Sequence, residues 1–131
     1  MRSRRPEFLP FDKVRSTGGD NVAPVLSSPD NGTETVDGTT NFGATTTKGG
    51  GGFYWAVTTD AGTATVEQIV LGTGGNIIAD KAGRVNVTAP GVVTVAAVTG
   101  LSSATAYELF FVHVDSGGNR SASSTVGFTT L

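Results

Sequence analysis

The sequence predicts an all-β sandwich of about seven short strands. Three observations lead there. Glycine accounts for 19 of 131 residues, with Thr, Val and Ala abundant between the glycines, a composition of short strands punctuated by turns. Turn signals recur along the chain, as "SPDNG", "KGGGG", "GTGG" and "SGGN", each built on residues that preset or tolerate turn dihedrals. The apolar residues between them alternate or cluster over stretches too short for a crossover helix. The length fits one domain that can fold without staples, and with no cysteine its stability has to come from packing.

Taken in order, residues 1–22 form an extended N-terminal arm. Pro6 and Pro10 lack a donor N–H and disfavour helix at the residues before them. "STGGDN" (16–21) reads as a hinge. The domain then spans 23–131. Val25 and Leu26, between Pro24 and Pro29, suit a short edge strand, and "SPDNG" suits a turn. "TTNFGATTT" (39–47) is a Thr-rich strand anchored by Phe42. "FYWAVTTD" (53–60) is rich in aromatic and β-branched residues. Val66, Ile69 and Val70 have i, i+3, i+4 spacing, which allows one or two helical turns. Residues 76–89 hold two short apolar pieces and leave their strands undefined. "GVVTVAAVTGL" (91–101) alternates, "TAYELFFVHVD" (105–115) is the strongest strand, and "SASSTVGFTTL" (121–131) closes the domain.

The segment "VTGLSSATAYELFFVHVDSGGNRSASSTVGFTT" (98–130) resembles the last strands of a fibronectin type III domain, through Gly100-Leu101, Thr105, Tyr107 and the final "FTT". That resemblance implies an Ig-like/fibronectin type III-like β-sandwich. It also implies a tyrosine corner, with the Tyr107 hydroxyl tied to backbone near Leu101. With Tyr107 inward, period two turns Leu109 and Phe111 inward as well. The earlier half, "APVLSSP…FYWAVTTD…TVEQIVLGTGG", is similar to the branch of this superfamily found in bacteriophage virion proteins and bacterial surface proteins. The arm lies outside the resemblance.

Charge is unevenly distributed. Residues 1–15 carry five basic and two acidic groups, a net of +3, and residues 16–131 carry four basic and nine acidic groups, a net of −5. Such asymmetry marks an interaction tail. The arm's Arg2, Arg4, Arg5, Lys13 and Arg15 are interleaved with Phe8, Leu9 and Phe11. Arginine and aromatic residues are the types enriched at protein-interface hot spots, whereas the acidic body would oppose approach to a nucleic acid. Docking on another protein is therefore favoured over a free tail and over nucleic-acid binding. No apolar run approaches the roughly 18 residues of a membrane helix, and Pro6, Glu7, Pro10, Asp12 and Lys13 interrupt any signal-peptide core.

The remaining motifs are read as structural. "KGGGG" (48–52) lacks the following helix of a phosphate loop and reads as a flexible hairpin. "GTGG" lacks a βαβ unit. His113, the only histidine, falls on the Tyr107/Phe111 face and reads as a packed residue that Asp115 could partner. Asp30, Glu34 and Asp37 lack the spacing of a calcium loop and read as solvated. Trp55 is assigned to the core, which leaves Tyr54 facing outward. No enzyme, cofactor or metal is expected. The leading expectation is a bacteriophage capsid decoration or cement protein on the virion surface. Its arm would dock on the major capsid protein or another virion protein, and homo-oligomerisation stays open. A phage tail or fibre module is the alternative, as is an extracellular adhesion module binding glycan through its outer surface.

Overall fold

The computed structural model describes residues 21–131. The elements are β1 (Leu26–Asp30), β2 (Thr33–Glu34), β3 (Thr39–Thr46), β4 (Gly52–Thr59), α1 (Val66–Leu71), β5 (Ile77–Asn86), β6 (Gly91–Val98), β7 (Ala106–Val114) and β8 (Ser124–Thr129). They form two antiparallel sheets. In the first, β3 is flanked by β1 and β2 on one side and by β6 on the other. In the second the order is β5-β4-β7-β8. The connections β3–β4, β5–β6 and β6–β7 each pass from one sheet to the other.

Between the sheets lies an aromatic core. Phe42 of β3 meets Trp55 of β4 edge-on at 5.3 Å and stacks near Phe111 of β7 at 6.3 Å. Phe53 lies 5.3 Å from Phe111. Val93 and Val95 of β6, with Val57, Leu109 and Phe128, belong to the same cluster. Full burial of each such side chain contributes roughly 2 kcal/mol.

A second cluster occupies the outer face of the β5-β4-β7-β8 sheet. There α1 covers Ala56, Phe110 and Val112 through the buried Ile69, with Tyr54, Val66 and Ala82 packed at its margin. Strand β7 is therefore buried on both faces, which explains its near-continuous apolar run, "LFFV". The expectation that Tyr54 faces outward is corrected. Its face of β4 carries the helix, and the side chain is half-buried against it.

Three further expectations change. Among the described residues eight strands are formed, where about seven were expected, because Thr33–Glu34 adds a short pairing to β3. β1 runs through Pro29 to Asp30, so the turn tightens to Asn31-Gly32. Pro29 is tolerated because β1 is an edge strand whose register shifts between Ser27 and Asp30, with Ser28 at φ 49°. Residues 77–86 form one ten-residue strand, β5. Its apolar signal is broken by Asp80 and Lys81, and by Gly83, which lies opposite Trp55. A Cβ at Gly83 would stand 2.9 Å from the indole, so the glycine makes room for the ring.

Candidate functional site

One end of the sandwich holds four of the buried polar residues, Thr46, His113, Asp115 and Ser121, while Thr39, Thr58 and Thr130 lie toward the other. His113 near the end of β7 is 0 % exposed. Its Nε2 lies 2.7 Å from the Gly50 carbonyl oxygen. A carbonyl only accepts, so the proton sits on Nε2. Nδ1 then accepts from the Thr46 hydroxyl at 2.7 Å. The backbone of His113 exchanges two bonds with Ser121: its N–H donates to Ser121 Oγ at 2.9 Å, and its carbonyl accepts the Ser121 N–H at 2.8 Å. One side chain thus joins β3, the glycine loop and β7. The Thr46–His113 pair resembles half of a hydrolytic triad, but Thr46 is only 2 % exposed, so a substrate atom has no access to its hydroxyl.

The glycine loop is tied down. Gly50 N–H donates to the Val87 carbonyl at 2.9 Å, and Val87 N–H donates to Gly51 O at 3.1 Å. Gly51 has φ +74°, and a Cβ there would run into the Val114 carbonyl. This corrects the flexible-hairpin reading. β3 and β4 belong to different sheets, so the loop arches across the end of the sandwich and is held by both.

Beside it, Lys48 Nζ pairs with Asp115 Oδ2 at 2.8 Å. Asp115 Oδ1 also accepts the N–H groups of Gly117 at 3.0 Å and Asn119 at 2.8 Å, which closes the "DSGGN" turn. The Lys48 ammonium holds the Asp115 carboxyl well below the usual carboxylate range. The Asn119 bonds add to this, and burial opposes it. From the sequence, Asp115 could partner His113. Instead both imidazole nitrogens are engaged elsewhere, and Asp115 serves Lys48 and its own turn. Lys48 Nζ further donates to the Val22 carbonyl at 2.6 Å. The chain entering from the N-terminal side is thereby fixed to the core at this end.

A groove of about 320 Å³ opens elsewhere, between α1 and β5. Tyr54, Leu71, Thr73, Asp80 and Arg84 line it. The Arg84 guanidinium lies 5.7 Å from the Tyr54 ring centroid and donates to Asn86 Oδ1 at 2.7 Å. The groove offers a cation, a carboxylate and a hydroxyl, groups that suit a hydroxylated ligand. Nothing in the sequence pointed to it, because it depends on β5 and α1 meeting across β4.

Among the residues singled out from sequence, Trp55 packs against Phe42, and Leu101 is 8 % exposed. The Tyr107 hydroxyl accepts the N–H of Ser102, next to Leu101, at 2.9 Å. Leu109 and Phe111 are fully buried. Arg2, Arg4, Arg5, Phe8, Leu9, Phe11, Lys13 and Arg15 lie outside the described residues. Asp30 accepts the Gly32 N–H, Glu34 accepts from Asn31, and Asp37 accepts the Gly100 N–H. These acidic groups organise loops. Among the described residues, no three His, Asp or Glu side chains cluster in a metal-binding arrangement. No protein-family model, curated protein or solved structure matches the chain.

Proposed function

We propose that this protein is a non-enzymatic structural component of a bacteriophage virion, a decoration or cement protein on the capsid surface that docks through its N-terminal arm. The observation that carries the reading is the tie of Val22 to Lys48 and, through it, to the buried Asp115. A segment that transmits load between a particle and an outer domain needs an attachment that does not yield. Here the arm's point of departure is hydrogen-bonded to Lys48 of the glycine loop, which is in turn ion-paired with the buried Asp115. The charge division supports the same reading, with a basic, aromatic arm before an acidic body. The strand order, β1-β3-β6 facing β5-β4-β7-β8, supports the fibronectin type III-like type that the sequence resembles.

In this reading the arm lies along the major capsid protein between neighbouring subunits, and the sandwich stands outside with its Thr-rich surface in water. The function is bridging, with no chemistry and no cofactor. The test is to delete residues 1–20 and mix the product with capsids stripped of decoration. Binding should be lost while the sandwich stays folded; undiminished binding overturns the proposal. The groove beside α1 favours a second reading, an adhesion module that binds glycan. Chemical-shift changes at Tyr54 and Arg84 on titration with sugars would support that reading.

A further inference from the structure

The four long sheet edges differ in how they are protected. Exposed edges present unpaired N–H and C=O groups and are normally blunted by charge, proline, bulges or cover. β1 carries a register shift, Pro29 and Asp30. β5 carries Asp80 at φ 65°, Lys81 and Arg84. β8 is reached by Asn31, whose Nδ2 donates to the Gly127 carbonyl at 3.2 Å. Among the described residues, β6 has none of these devices. Its sequence is "GVVTVAAV", and it pairs with β3 in unbroken register from Thr39↔Val98 to Thr46↔Gly91. Every second residue of such a strand turns its N–H and C=O away from its neighbour. Among the described residues, nothing accepts from or donates to that outer row. Val92 on its exposed face is 78 % accessible.

We propose that β6 is a self-association edge, with two copies pairing β6 to β6 antiparallel about a twofold axis to join their sheets into one. Charge and symmetry select a second copy as the occupant. No charged residue occurs between Val87 and Tyr107, so this strip is where two bodies of net −5 can meet without like charges directly opposed. Antiparallel pairing of identical strands is self-complementary by construction, as a twofold contact requires. An eight-residue edge buries well under the roughly 1,200 Å² of a stable interface, so the dimer is weak in free solution. The inference stands on the sandwich alone and does not depend on the virion reading.

Sedimentation equilibrium of the full chain from about 10 µM to about 1 mM tests it, since a weak dimer populates only toward the upper end. The wild type should shift toward dimer as concentration rises. The double variant Val92→Lys/Ala96→Lys, at two exposed positions, should dissociate about tenfold more readily or worse, by placing charge on the edge. Thr125→Lys on β8 should change dissociation less than about twofold, as a surface charge away from the contact. Added salt should strengthen β6 pairing by screening the two acidic bodies, whereas contacts made through the basic arm would weaken. A wild type that stays monomeric throughout overturns the proposal and leaves the edge to a strand of another protein. Equal effects of the β6 and β8 lysines overturn it as well.

Discussion

Asp115 shows how a single side chain can organise the end of a fold. Its carboxylate accepts from Lys48, from two backbone N–H groups of its own turn and from the Asn119 amide. Replacing it by Asn removes the negative charge from the Lys48–Asp115 pair and from the turn it closes. The expected loss is about 2 kcal/mol at neutral pH, as for a hydrogen-bonded charged group, measured by urea denaturation. The pH dependence has a definite sign. The folded carboxyl titrates below its unfolded value of about 3.9, so as pH falls the unfolded chain takes up its proton first. Stability from Asp115 is complete above about pH 5 and is lost below it. Asp115→Asn should therefore show a shallower fall in stability between about pH 5 and pH 2 than the wild type. His113 was recognised as structural from its position on the strand. Its partners Thr46 and Gly50, 67 and 63 residues away, could not be read from the sequence.

At the scale of elements, α1 is the clearest case of a short signal given meaning by packing. A six-residue helix is far too short to hold in isolation. It persists because Thr65 and Gln68 form a capping box, each side chain bonding the other's backbone, and because Gly72 closes it in the left-handed conformation. Ile69 then seals the outer face of β4 and β7. Thr65→Ala should cost about 1 kcal/mol, seen as a lower denaturation midpoint. It should also raise amide exchange at Ile69 and Val70 before the sheets open, because the helix lies outside the main core. The i, i+3, i+4 spacing of Val66, Ile69 and Val70 made the helix legible. What stayed hidden was that it covers a sheet, and this is why Tyr54 was misassigned. Alternation along β4 says that Tyr54 and Trp55 point to opposite faces, but not that both faces are occupied.

At the scale of the whole molecule, charge is separated along the chain, and the tie from Val22 through Lys48 to Asp115 lies at one end of the sandwich. If the arm docks on a capsid as proposed, and its arginines and lysine grip an acidic surface there, that docking should weaken as ionic strength rises through the range where the Debye length falls from about 10 to 3 Å. A co-sedimentation series at increasing salt measures it. A salt-independent docking would assign the grip to Phe8, Leu9 and Phe11 instead.

The sequence by itself determined the all-β character, the strands around Phe42, Trp55 and Leu109, the helical turn after "TAT", and the inward alternation of Tyr107, Leu109 and Phe111. Those features are local: period, propensity and turn chemistry act over a few residues and leave a trace at each. Only the tertiary structure decided that the glycine loop is a tied arch, that Asp115 serves Lys48, that β5 is one strand, and that the uncharged β6 lies at a sheet edge. Each of these depends on which segments lie side by side, and pairing partners dozens of residues apart leave no mark in the spacing of either one.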